Sequence, residues 1–285
     1  MACCADKHAE RPEVNRLERH LARARSDGRR SLVVYLCAGD PDLATTERLV
    51  PALAAAGADV IELGVPFSDP LADGPTIQAA AERALRSGTT LAGILELVSR
   101  VRGRGCEVPL VLMGYMNPFV RMGLDAFVAR AAEAGVDGVI VPDLPLEEAH
   151  TLGDAAAAKE LSLVLLAAPT TPPQRLRAIG SQTRGFLYFV SITGVTGARA
   201  ALPADLPARL DAVRAASAAP VAVGFGISAP EQARALAEHA DAVVVGSALV
   251  SEIARSGGRP EGPVALVRSL AEAVHSVSGG RPSVR

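Results

Sequence analysis

Eight short apolar runs, separated by segments of helical spacing, constrain this chain more than any other feature. They are "SLVVYLCAG" (31–39), "DVIELG" (59–64), "VPLVLMG" (108–114), "DGVIVP" (137–142), "LSLVLLAA" (161–168), "GFLYFVS" (185–191), "PVAVG" (220–224) and "DAVVVG" (241–246). Each is a short apolar run and reads as a candidate strand. Between them, "DLATTERLVPALAAAG", "MGLDAFVARAAEAG", "PLEEAHTLGDAAAAKE" and "APEQARALAEHA" carry helical periodicity and capping residues. Eight alternations between positions 31 and 246 fit one closed (β/α)8 barrel, whose usual size is about 250 residues. An internal echo supports this reading. "AAGADVIELGVP", "EAGVDGVIVPDLP" and "EHADAVVVGSA" share a helix end, an Asp (Asp59, Asp137, Asp241), an apolar run and a turn. An open doubly wound sheet is the alternative, but no G-x-G-x-x-G follows the first strand. "VNRLERHLARARSDG" (14–28) predicts an extra helix before strand one, placed to plug the barrel bottom. Residues 14–278 are expected to form the barrel domain, with disordered tails at 1–13 and 279–285.

Composition narrows the function. The chain is 49% hydrophobic with 3% aromatics and a net charge of −2. An interior of Ala, Val, Leu and Ile suits parallel strands covered by helices, and no charge run suggests a nucleic-acid face. No apolar run is long enough for a membrane span, and the N-terminus lacks the apolar region of a signal peptide, so a cytoplasmic protein is expected. The four cysteines (Cys3, Cys4, Cys37, Cys106) lack metal or disulfide spacing. Lys7 and Lys159 are the only lysines. Neither sits where a barrel does chemistry, which argues against a Schiff base. No histidine follows a strand, so acid–base work falls to carboxylates or tyrosines.

Barrel active sites lie at the C-terminal strand ends and in the following loops. Glu62 lies in the second strand, where side chains alternate between barrel interior and helix layer. It reads as a mouth carboxylate or as an ordinary ion-paired Glu. Asp73 follows in a loop stiffened by Pro66, Pro70 and Pro75 and turned by Gly64 and Gly74. Asp69 in the same loop reads as an N-cap or a surface acid, and the three acids together are also compatible with Mg²⁺. Gly224, Phe225 and Gly226 follow strand seven, and Gly246 and Ser247 follow strand eight at a helix start. Those are the places where backbone N–H groups hold phosphate in barrels. The segment 191–203 is long for a βα turn and reads as a lid. Tyr188 in strand six points into the mouth or packs in the core.

Taken in order, "ELGVPFSDPLADGPTIQ", "LMGYMNP", "DGVIVPDLP", "FVSITGVTG", "VGFGIS" and "VVVGSALV" closely resemble the tryptophan synthase alpha subunit family, from about Leu32 to Ile253. The resemblance implies a (β/α)8 barrel that cleaves indole-3-glycerol phosphate to indole and glyceraldehyde 3-phosphate. It implies that Glu62 moves protons at indole C3 and at the glycerol hydroxyl, and that Asp73 binds the indole N–H. Tyr188, Tyr35 and Leu112 match substrate-site positions near the indole. Gly197, Gly226, Gly246 and Ser247 match the phosphate-binding backbone, with Phe225 beside them in the substrate site. No metal or cofactor is implied in this chain. Pyridoxal phosphate is expected in a beta-subunit partner, met in an alpha-beta-beta-alpha complex through loops bearing Asp69, Asn117 and Pro145.

Two departures stand out. Cys37 occupies a position where threonine is common in the family, a change expected to loosen the hydrogen bonds that steady the Asp73 loop without abolishing cleavage. The charged extension "MACCADKHAERPEVN" is unusual. Three alternatives remain open on sequence: a free-standing lyase feeding indole elsewhere, a non-catalytic regulatory subunit, and another phosphate-sugar isomerase or aldolase on the same barrel. The scarcity of strand-end histidines and lysines weighs against the last.

Overall fold

The structure, a computed structural model, describes residues 15–190, 205–224 and 226–278. The eight predicted strands all form, each slightly shorter than its apolar run: β1 (Ser31–Cys37), β2 (Val60–Gly64), β3 (Leu110–Met113), β4 (Gly138–Ile140), β5 (Ser162–Ala167), β6 (Leu187–Val190), β7 (Val221–Gly224) and β8 (Ala242–Val245). Every neighbouring pair is parallel, and β8 returns to β1, so the sheet closes in the order β1 to β8. The open-sheet alternative is thereby excluded.

The helices are α1 (Arg16–Ser26), α2 (Leu43–Ala55), α3 (Pro75–Arg86), α4 (Leu91–Gly103), α5 (Met116–Met122), α6 (Leu124–Ala134), α7 (Ala149–Ala157), α8 (Pro173–Gln182), α9 (Leu206–Ala216), α10 (Pro230–Ala237), α11 (Ser247–Ser256) and α12 (Glu261–His275). The β2–β3 and β3–β4 connections each carry two helices, and two more follow β8. The expected tails lie outside the described residues.

Period-two alternation divides each strand between two cores. Val33, Val60, Val111, Ile140 and Val164 face the barrel axis and pack with one another, joined from below by Leu17 and Leu21 of α1. Leu32, Val34, Ile61, Leu63, Leu110 and Leu112 face outward under the helices. α1 therefore is the expected plug. Gly185 makes room for it, since a Cβ there would come within 2.7 Å of Leu17 Cδ2.

The repeated aspartates of the sequence are buried clamps at the base of the barrel. Asp59, Asp137 and Asp241 each donate a backbone N–H to a carbonyl of the preceding strand, at Leu32, Leu110 and Val221. The carboxylate of each then accepts the N–H of that same residue, at 2.7, 2.8 and 2.9 Å. This doubled bond fixes the register of neighbouring strands, because a one-residue slip would break both halves. α1 supplies an arginine or a histidine to every clamp. Arg16 reaches Asp137 at 3.2 Å, His20 reaches Asp59 at 3.1 Å and Arg25 approaches Asp241 at 3.9 Å. His275 at the end of α12 completes the Asp59 clamp at 2.7 Å.

Candidate active site

At the opposite end, a cavity of about 180 Å³ occupies the barrel mouth, lined by side chains from β1, β2, β3, β5, β6 and β8 and by the loops after β2, β4, β7 and β8. Glu62 forms part of its floor. Alternation along β2 turns Val60, Glu62 and Gly64 inward, and the β1–β2 register sets Tyr35 directly beside Glu62. Glu62 is fully buried, and among the described residues neither carboxylate oxygen has a hydrogen-bond partner. Burial pushes its pKa up to about 8. An unpartnered acid whose pKa lies near neutrality, on the floor of a cavity, is equipped to give and take a proton.

Tyr35 and Tyr188 line the same cavity, and burial keeps both phenols well above their ordinary range. Gly64 provides the space for Tyr35. A Cβ at position 64 would lie 2.1 Å from the Tyr35 hydroxyl oxygen, so Gly64→Ala is expected to displace the Tyr35 ring. The expected cost is about 1–3 kcal/mol of stability, with a raised KM for the mouth ligand. Denaturant melts and steady-state kinetics on one preparation check both.

Asp73 reaches the mouth from the loop that precedes α3. It is half-buried. Burial raises its pKa, opposed by a hydrogen bond from the Tyr115 hydroxyl. Gln78 Nε2 donates to the Asp73 carbonyl at 2.8 Å, and α3 is itself tied down by Arg83, which makes two 2.7 Å bonds to the buried Asp40. Cys37 packs against α3 among Ile77, Ala80, Ala81 and Ala84. It serves as an apolar support for the helix, and burial holds its thiol far above the ordinary range, which makes it inert.

The far wall carries the glycines. Gly224, Gly226, Gly246 and Ser247 all border the cavity. Gly246 is the N-cap of α11 and makes no side-chain cap bond, so the first-turn N–H groups and the positive end of the helix dipole face the mouth. Gly226 takes a φ of +51°, a left-handed conformation easy for glycine.

Not every expected residue belongs here. Leu112 is buried in the outer core beneath the helices and does not touch the cavity. Its neighbour Met113 does, because Glu62 pairs with Val111 and Gly64 with Met113, which turns Val111 and Met113 inward and Leu112 outward. Gly197, Phe225 and the 191–203 segment lie outside the described residues. Asp69, Asn117 and Pro145 are exposed on the loops and helix that follow β2, β3 and β4, apart from the cavity. Among the described residues no group of three His, Cys, Asp or Glu could hold a metal ion, so the three acids of the first loop do not converge. Tyr115, inside "LMGYMNP", carries no sequence signal of its place beside the Asp73 loop. Ile77, Leu166, Val190 and Val244, which form the apolar wall of the cavity, carry no such signal either.

Comparisons with known proteins agree with this geometry. A family model described as "Tryptophan synthase alpha chain" matches residues 21–277. A protein of that name from Geobacter sulfurreducens is 53% identical over 237 residues, 83% of this chain and 89% of that protein. One from Caulobacter vibrioides is 49% identical over 270 residues, 93% of this chain and 98% of the relative. Among solved structures, tryptophan synthase subunit alpha from Legionella pneumophila superposes with a TM-score of 0.86 at 38% identity, covering 93% of this chain and all of the other. A chain of Mycobacterium tuberculosis tryptophan synthase gives 0.85 at 39% identity, covering 92% of this chain and 99% of its own.

Proposed function

The chain belongs to the tryptophan synthase alpha chain family, and from that premise we propose how its mouth residues carry out the reaction. It is a lyase that cleaves indole-3-glycerol phosphate to indole and glyceraldehyde 3-phosphate in tryptophan biosynthesis. The observation that carries the residue assignment is the buried, unpartnered Glu62 with a pKa pushed up to about 8. In its neutral form Glu62 protonates indole C3, which places a positive charge on the ring nitrogen. Asp73, ionised, accepts the indole N–H and stabilises that charge. The Glu62 carboxylate then takes the proton of the glycerol hydroxyl next to the ring. The C–C bond breaks, its electron pair returns to the indole ring, and an aldehyde leaves. Protonated indole is the electron sink, so the lyase step calls on neither lysine nor metal. Tyr35, Tyr188 and Met113, which line the cavity, seat the ring, the backbone at Gly197, Gly226, Gly246 and Ser247 holds the phosphate, and Phe225 belongs to the substrate site.

The working unit is residues 14–278, acting in the cytoplasm; among the described residues no helix is long and apolar enough to cross a membrane. The partner is a beta subunit that carries pyridoxal phosphate, in an alpha-beta-beta-alpha assembly. Asp69, Asn117 and Pro145 mark its docking face. Support comes from the large apolar side chains left in water there, since Leu71 beside Asp69 is 87% exposed and Val120 on α5 is 53% exposed. The test is indole release from indole-3-glycerol phosphate by the full chain, alone and with a beta subunit, beside Asp73→Asn. A substrate-dependent rate that rises with the partner and falls about 100-fold or more in Asp73→Asn supports the reading. A rate indifferent to the partner would make the chain a free-standing lyase, and an unaffected Asp73→Asn would remove Asp73 from the chemistry.

A further inference from the structure

The chain has three tyrosines, and the third is not in the cavity. Tyr115 is 4% exposed and forms the N-cap of α5, behind the loop that delivers Asp73. Its hydroxyl oxygen accepts the Ala72 N–H, the residue next to Asp73, at 2.9 Å, and the hydroxyl lies on the side of the Asp73 carboxylate, where it opposes the rise in pKa that burial causes. Its ring packs on Phe67 at the start of that loop, with centroids 5.6 Å apart. We propose that Tyr115 is the positioning residue for Asp73, the group that fixes where its carboxylate stands over the indole N–H. The proposal rests on the assignment of Asp73 made above.

The accounting of the hydroxyl supports it. A phenol offers one proton and two lone pairs. With a lone pair taken by Ala72 N–H, the proton is left for Asp73, which can only accept when ionised. Burial pushes the Tyr115 hydroxyl up to about 12, so it remains a donor throughout the neutral range. The loop from Phe67 to Asp73 contains no helix or strand, and its Ser68–Asp69 hydrogen bond is an exposed contact between adjacent residues. Tyr115 touches it at Phe67 and at Ala72, the residue next to Asp73, from the start of a helix that is anchored where Met116 N–H meets Asp143 Oδ1 at 2.9 Å. Asp73 thus takes its position from the β3–β4 side of the mouth, although its sequence attachment is to β2 and α3. A carboxylate that serves by meeting charge as it develops must be held before the charge appears, and a proline-rich loop does not do this by itself.

Tyr115→Phe keeps the ring on Phe67 and deletes the hydroxyl. The proposal expects kcat for indole release to fall about 10- to 100-fold, the effect of losing a hydrogen bond to a charged group, while KM and the thermal midpoint change little. On an Asp73→Asn background the same substitution should cost almost nothing further, since the group it positions has been neutralised. The measurements are kcat, KM and melting curves for the full chain with and without a beta subunit, in wild type, Y115F, D73N and the double variant. Wild-type kcat in Y115F, or an equal loss on both backgrounds, overturns the proposal. If Y115F alone fails to fold, Phe67→Leu, which loosens the ring and spares the hydroxyl, must show a smaller loss of the same kind in kcat; its absence is likewise fatal. Wild-type kcat in D73N would overturn the Asp73 assignment itself and this inference with it, whereas an impaired D73N beside a fully active Y115F would overturn this inference alone.

Discussion

Glu62→Gln is expected to lower kcat for indole release by about 10²- to 10⁴-fold, the usual contribution of a positioned acid–base group, while leaving the barrel folded. Glutamine has nearly the same shape but neither donates nor accepts the proton that the C–C cleavage requires. The same substitution should improve stability in alkaline solution. Burial raises the folded pKa from 4.5 to about 8. Between those values the folded chain holds a proton that the unfolded chain has lost, so native stability falls as pH rises through the window. Above pH 8 the full cost of a buried, unpartnered carboxylate is present. Wild type should therefore lose thermal stability from pH 5 to 9 in a way that Glu62→Gln does not, and its kcat/KM should decline above pH 8 as the acid form disappears. Undiminished turnover in Glu62→Gln would remove this residue from the mechanism. Matching stability profiles would mean that Glu62 is solvated after all.

Asp59→Ala is expected to give the largest loss of stability, about 3–5 kcal/mol, because it strips a buried charge clamp of its centre. In a barrel of this size the melting temperature should fall by about 10 °C or more. Burial alone would raise the Asp59 pKa, but the hydrogen bonds from His20, His275 and the Leu32 N–H overcome that and hold it down to about 2. The sign follows from the depressed value. Above its ordinary value of 3.8 the ionised carboxylate stabilises the fold, and that contribution is lost as pH falls from there through 2. Denaturant titrations between pH 2 and 7 should show wild type converging on Asp59→Ala at the acid end. Folded Asp59→Ala should cleave substrate at the wild-type rate, since Asp59 lies at the base of the barrel and the chemistry at the mouth.

Glu62 and the Asp59 clamp also explain how much of this architecture can be read from a sequence. Strand number and closure were legible because each β unit repeats one apolar run on a rigid spacing, and the Asp echo turned out to be the register clamp itself. Glu62 was legible because a carboxylate inside an apolar run has few structural excuses. Leu112 was misplaced for a physical reason: β3 reads "LVLM", and a parallel strand buried on both faces gives no polar residue from which to tell inward from outward. Only its pairing with Glu62 and Gly64 on β2 settles the parity in favour of Met113. Tyr115 was hidden differently. Its partner Ala72 is 43 positions away, on a connection whose path no periodicity encodes.

The N-terminal helix has a consequence beyond plugging a hole. α1 touches Asp59 before β2, Asp137 before β4 and Asp241 before β8, residues synthesised at widely separated times. All three landing points exist together only once the segment leading into β8 is in place, so α1, which precedes every strand of the barrel, is among the last elements able to dock fully. It acts as a gauge that accepts only a ring of the correct circumference. A nascent or fragmentary barrel lacking β8 would leave Arg25 of α1 without Asp241, and splitting the chain between β6 and β7 should yield halves that recover a stable α1 only on reassociation.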